Sequence, residues 1–294
     1  MRQMSLRAAR LFLRLAVKPK LTRSADFAEA TRALDLRLPY DAPPQGFRAE
    51  RIGGVAGEWA ASGSGAVLVY LHGGAYFAGT ARSHRPITSF FARRGFDVFA
   101  PSYRLAPRHP FPAALEDALA VYGELAGRGA RLALAGDSAG GGLALATMLA
   151  LRDAGSTLPV AAALFSPWTD LAITGASARE EEARDPLFTR RLLKIGARAY
   201  LAGARADDPR ASPLYGEPGG LPPILIHVGE REILRDDSAR FAARAVAAGV
   251  DAEVVIWPGV PHGWQLASGL LQEARDSLDA AAAFLRSGGA SVAP

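Results

Sequence analysis

The chain has 294 residues, 49% hydrophobic and 21% charged, which is enough apolar character for a large folded core and too much for intrinsic disorder. It has no cysteine, which excludes disulfides, a thiol nucleophile and Cys-ligated metal or iron–sulfur sites. The formal charge of +5 and a pI near 9.8 first suggest a nucleic-acid or membrane partner, but the charge is unevenly placed.

Seven basic residues, Arg2, Arg7, Arg10, Arg14, Lys18, Lys20 and Arg23, precede the first acid, Asp26. Removing those seven from the 34 basic residues leaves 27 against 29 acidic ones, so the body is not basic overall. Within residues 5–18, Arg7, Arg10, Arg14 and Lys18 fall at helical spacing, with Ala9, Phe12, Leu13 and Ala16 toward the other side. The pattern predicts an amphipathic helix docked on its own domain. Contact with a membrane surface and an organellar transit role are the alternatives. Arginines interrupt every apolar run here, which argues against a cleavable secretory signal and favours a cytoplasmic protein. No apolar run reaches the roughly 18 residues of a membrane span.

From about residue 50 the chain alternates strand, turn and helix. The runs 66–72, 96–103, 131–136, 160–166, 223–229 and 252–258 are short and apolar, the pattern of strands buried on both faces of a parallel sheet. Helical stretches lie near 84–94, 113–127, 140–153, 237–248 and 270–286. The expected fold class is therefore α/β, a mostly parallel, doubly wound sheet. Residues 175–205 interrupt the rhythm with a charged pattern of their own and read as a helical insertion.

The chemistry concentrates at strand ends. Gly136-Asp137-Ser138-Ala139-Gly140 follows one strand and opens a helix, the context of a nucleophilic serine on a sharp strand-to-helix turn. Glycines flank the serine because side chains there would meet the neighbouring backbone. Upstream, His72-Gly73-Gly74-Ala75 ends a strand where backbone N–H groups can face a developing oxyanion. His72 itself reads as a residue that holds the loop. His262 lies on the loop after the last strand, in the Ser…acid…His order such sites follow, and is the candidate base. His84 and His109 sit in loop or helix-start contexts that suggest solvent or local hydrogen bonding, and His227 reads as a core group. Four carboxylates, Glu230, Glu232, Asp236 and Asp237, compete for the acid position. The two aspartates suit the first turn of the following helix and Glu230 the surface, which makes Glu232 the choice.

These motifs, with Tyr103-Arg104-Leu105-Ala106-Pro107, Pro110-Phe111-Pro112-Ala113-Ala114, Ser166-Pro167-Trp168, Asp185-Pro186-Leu187 and Leu234-Arg235-Asp236, resemble the hormone-sensitive-lipase-like family of α/β-hydrolases over roughly residues 65–285. The resemblance implies an α/β-hydrolase fold with a helical cap: a cap segment over 1–50, core over 51–174, a cap insertion over 175–210 and core again over 211–294. It implies a serine carboxylesterase for short- to medium-chain esters, with a catalytic triad of Ser138, Glu232 and His262. The oxyanion hole falls on Gly73, Gly74, Ala75 and Ala139, and the substrate pocket on Tyr76, Phe77, Trp168, Leu187 and Trp264. Two positions depart from the family: Ala75 replaces a third glycine, and Glu232 stands where an aspartate is more usual. Arg104 is expected to pair with Glu116 or Asp117. The mechanism needs no cofactor or metal, and the one expected partner is a small-molecule ester. A lactone hydrolase is the nearest alternative, and a non-catalytic small-molecule binder the alternative of another class. Activity is expected to rise through a pKa of about 6–7 as the histidine deprotonates.

Overall fold

The computed structural model describes residues 4–24 and 27–289, so Arg2 and Asp26 of the basic-segment count lie outside the described residues. All six predicted strands form: β3 (Val67–Leu71), β4 (Asp97–Pro101), β5 (Leu132–Asp137), β6 (Ala162–Phe165), β7 (Ile224–Gly229) and β8 (Ala252–Trp257). They are preceded by β1 (Phe47–Ile52) and β2 (Val55–Ala60), a hairpin turning at Gly53-Gly54 that the sequence reading did not resolve. The eight strands run in the order β1-β2-β4-β3-β5-β6-β7-β8. The first two pairings, β1·β2 and β2·β4, are antiparallel and the other five are parallel.

Helices cover both faces, as a parallel sheet requires. They are α4 (Arg85–Ala92), α5 (Ala113–Gly127), α6 (Ala139–Asp153), α9 (Arg235–Ala247) and α10 (Gln272–Arg286), after the N-terminal α1 (Leu6–Phe12), α2 (Lys18–Arg23) and α3 (Phe27–Leu34). The insertion supplies α7 (Ser177–Glu180) and α8 (Arg190–Leu201). Side chains alternate along β3: Val69 and Leu71 join the core under α5, α6 and α9, while Leu68 and Tyr70 join the core under α4 and α10. The 103–114 loop is fixed by Arg104, whose backbone N–H and Nε donate to Asp117 at 2.7 and 2.9 Å and whose Nη2 donates to Glu116 at 2.9 Å. Both expected partners are used.

Two pieces of chain lie over one end of the sheet. The first passes from α1 through a π-helical turn, Leu13–Val17, into α2; Ser5 caps its start, accepting from Ala8 N at 3.3 Å. Ala9, Leu13 and Val17 form its buried side. Phe12, expected to face inward, is half exposed, because the buried stripe runs four residues at a time through Ala9, Leu13 and Val17 and leaves Phe12 at its margin. The second piece is α8, capped by Thr189, which accepts from Leu192 N at 3.3 Å. The two pieces touch through α2 and α8, and Lys18 Nζ donates to the carbonyls of Glu182 and Asp185 at 2.9 and 2.6 Å. The core begins earlier than expected: a boundary after residue 50 cuts β1, whose first residue, Phe47, already pairs with Ala60.

Candidate active site

The loops at the C-terminal ends of β3, β5 and β8 converge on one cavity of about 280 Å³, with Leu187 and Phe188 of the insertion. Ser138 stands between β5 and α6 with φ 53° and ψ −122°, a strained conformation for a residue with a Cβ. The turn is possible because both flanking positions are glycine: a Cβ on Gly140 would fall onto the carbonyl oxygen of Leu71, and one on Gly136 would lie 2.5 Å from the carbonyl oxygen of Gly140. Gly140→Ala is expected to cost about 1–3 kcal/mol through overpacking and to lower turnover with it. Thermal unfolding beside a rate assay checks both; an unchanged melting temperature counts against the tight packing.

His262, after β8, and Glu232, after β7, meet behind the serine. His262 Nδ1 lies 2.6 Å from Glu232 Oε2, with both side chains buried. A carboxylate only accepts, so Nδ1 carries the proton and Nε2 is left free to accept one. Burial acts to lower the pKa of His262, but the charge and hydrogen bond of Glu232, with smaller help from Asp185 and Asp137, hold it above the ordinary histidine value. Glu232 Oε1 is fixed separately, accepting from the N–H of Gly229 at 2.6 Å and the hydroxyl of Ser166 at 2.9 Å. Ser166 takes up a left-handed φ of 46° at the end of β6 to make that bond. The extra methylene of glutamate is thus clamped rather than loose. Glu230 is exposed, as expected. Asp236 and Asp237 are not helix caps: Asp237 Oδ2 accepts from Thr169 N and Asp170 N at 2.8 Å each, and Asp236 Oδ2 accepts from Ser177 N at 2.9 Å. They tie the loop after β6 and the insertion to α9.

At the end of β3, Gly74, Ala75 and Tyr76 all take positive φ (125°, 51° and 64°). Among the described residues nothing accepts from the N–H groups of Gly74, Ala75 or Ala139. The N–H of Gly73 is different. It donates to Asp137 Oδ1 at 2.9 Å and so is not available to an oxyanion, which removes Gly73 from the predicted donors. The same carboxylate oxygen accepts from Tyr70 Oη at 2.7 Å and lies 3.3 Å from His84 Nε2. His84 is 5% exposed and lines the cavity, and of the two expected settings it takes local hydrogen bonding, its Nδ1 lying 3.0 Å from Ser83 Oγ and 3.2 Å from the carbonyl of Thr80. His72 holds the loop as predicted, stacked on Tyr103 at 4.3 Å between ring centroids. His227 sits in the core against Ser277 Oγ at 2.8 Å, and burial pushes its pKa down to about 3.

A family model described as the alpha/beta hydrolase fold matches residues 68–266. The acetyl-hydrolase of Streptomyces hygroscopicus is 44% identical over 241 residues, covering 80% of this chain and 81% of that one. The esterase of Acinetobacter venetianus is 35% identical over 258 residues, with 85% of each chain covered. The crystal structure of an esterase from the bacterial hormone-sensitive lipase family superposes with a TM-score of 0.91 at 36% identity, covering 99% of this chain and 100% of that one. The chain belongs to the hormone-sensitive-lipase-like family of α/β-hydrolases.

The cavity is walled only partly by the residues the sequence suggested. Of the predicted pocket residues, Leu187 and Trp264 line it; Tyr76, Phe77 and Trp168 do not. Tyr76 stacks on Tyr200 with centroids 3.7 Å apart, Phe77 meets Phe27 at 5.1 Å, and Trp168 is 1% exposed with Nε1 donating to the carbonyl of Asp170. All three are packing residues beneath the insertion. Trp168→Ala is expected to cost about 3–5 kcal/mol in a denaturant melt, as a cavity in the core does; a loss under about 1 kcal/mol would return Trp168 to the pocket. The walls missed in the sequence come from the N-terminal segment: Phe12, Leu13, Val17, Leu34, Leu36 and Leu38. Phe188 joins them, its ring edge-on to His262 at 4.7 Å. Among the described residues no helix is long and apolar enough to cross a membrane, and no cluster of side chains is arranged to hold a metal ion.

Proposed function

We propose that Ser138, His262 and Glu232 form the catalytic triad of a serine carboxylesterase. The protein is a carboxylic ester hydrolase by family, and the observation that carries the residue roles is the buried Glu232–His262 bond behind a serine on a strained strand-to-helix turn. Ser138 attacks the ester carbonyl while His262 Nε2 takes its proton. The tetrahedral oxyanion is met by the N–H groups of Gly74, Ala75 and Ala139, at the positive end of α6. His262 then protonates the departing alcohol, and the same histidine activates the water that frees the acyl group. Glu232 holds the imidazole in the Nδ1–H tautomer and stabilises the imidazolium without taking its proton.

The substrate is a short- to medium-chain ester held in the apolar cavity beneath the cap, which we assign to the N-terminal segment and residues 175–210. The arginine-interrupted first segment supports a cytoplasmic setting. A p-nitrophenyl ester series of increasing acyl length, with lactones alongside, tests the reading. Turnover concentrated on acyl chains of up to about eight carbons is expected for a cavity of this size. Preference for lactones over every open-chain ester would move the substrate class, and failure of Ser138 to label with a fluorophosphonate would remove the enzyme reading.

A further inference from the structure

We propose that the outer face of the cap docks on an anionic lipid–water surface. Among the described residues five large hydrophobic side chains are strongly exposed, and three of them fall within five positions of the N-terminal segment: Leu11 (58%), Phe12 (51%) and Leu15 (67%). The exposed charged residues that flank them are all basic, Arg7, Arg14, Lys20 and Arg23, and no acid occurs before Asp26. The adjoining α8 continues the face. Arg191, Lys194 and Arg198, three and four residues apart, point outward, and α8 contains no acid. Arg191 Nη1 donates to the carbonyl of Thr22 at 3.5 Å, so the two basic stretches are one surface. None of these seven cations forms an ion pair among the described residues.

Charge alone would suit any polyanion. Leucine and phenylalanine set among the arginines select a lipid surface, where apolar side chains enter the headgroup boundary and cations stay at the phosphates. A second copy of the same face would meet like charge. Phe12 belongs to both the exposed face and the cavity wall, so the docked surface lies against the roof of the site. Docking itself is independent of the chemistry; only the further step, in which an apolar ester passes from that surface past Phe12, rests on the esterase reading.

Sedimentation with vesicles tests docking, using the full chain and phosphatidylcholine with or without about 30 mol% phosphatidylglycerol. The anionic vesicles are expected to bind at least about tenfold more tightly, with binding weakened by salt. The triple variant R191E/K194E/R198E and the double variant L11S/L15S are each expected to lose about tenfold or more, while keeping turnover of a water-soluble acetate ester, since none of the five residues lines the cavity. Equal binding to the two vesicle types, or binding that neither variant weakens, overturns the proposal. So does a wild-type dimer that ignores vesicles and falls apart in L11S/L15S, or binding to duplex DNA in place of vesicles. Ser138→Ala should bind vesicles as the wild type does. A wild type that binds vesicles yet hydrolyses no ester would sink the esterase reading and leave docking standing.

Discussion

Ser138→Ala is expected to lower ester turnover by about 10⁶-fold while leaving the protein folded, because a nucleophile removed from a working triad costs nearly as much as the whole triad. Alanine keeps the Cβ already accommodated at φ 53°, and the serine side chain makes no capping bond to α6, so little native packing is lost. Circular dichroism and a melting temperature within a few degrees of wild type would confirm that the loss is chemical. Residual catalysis should persist at about 10³-fold above water, from backbone donors that the substitution leaves in place. A purified variant retaining a tenth of wild-type turnover would show that another group attacks.

Glu232→Gln is expected to reduce kcat by about 10³–10⁴-fold, for a reason visible in the hydrogen bonds. Both carboxylate oxygens accept: Oε1 from Gly229 N–H and Ser166 Oγ–H, Oε2 from His262 Nδ1–H. A glutamine has one oxygen and one NH₂, and the NH₂ must face a donor whichever way it turns. The arrangement that keeps Gly229 and Ser166 satisfied points NH₂ at Nδ1 and moves the imidazole proton to Nε2, where it cannot receive one from Ser138. The pH profile gives a second reading. The wild-type kcat/KM should fall as pH drops through a pKa above the ordinary histidine value, because against burial the charge and hydrogen bond of Glu232, with Asp185 and Asp137, together raise the pKa of His262. In the glutamine variant the burial effect is left less opposed, and the acid limb should move to lower pH. A limb that stays in place would mean that Glu232 is not what raises the histidine.

The legible features were those set by local backbone demands. β3 to β7 were visible because each is buried along most of its length and therefore reads as an apolar run, and the edge strand β8, half-buried to exposed throughout, was visible from its β-branched VVI run. The serine turn was visible because two close backbone approaches admit only glycine. The hairpin of β1 and β2 was not visible, since β1 is an edge strand reading FRAERI, with only Ile52 fully buried. The local hydrogen bonding of His84 was legible, but its contact with Asp137 was not, because the two are 53 positions apart and only the folded loop after β3 brings them together. The pocket fared worst. Aromatic type marks a side chain for burial but not for one side of a wall, so Tyr76, Phe77 and Trp168 were assigned to substrate although they pack beneath α8. The cavity walls come instead from a segment whose sequence advertised its charge.

Asp185 gives the cap a role beyond covering the site. Its carboxylate accepts from Leu187 and Phe188 N–H at 2.8 and 2.9 Å and from Ile233 N–H at 3.1 Å, one residue beyond the triad carboxylate, while its carbonyl accepts from Lys18. The N-terminal segment and the backbone beside the proposed acid, Glu232, are therefore fastened to the same post. Shortening the chain from its start to widen the entrance would also slacken the support behind Glu232, so entrance width and reaction rate cannot be engineered separately from that end. Variants meant to admit larger esters belong at wall residues that make no bond to Asp185 or Glu232, such as Leu266, where the wall can be cut back without loosening the acid.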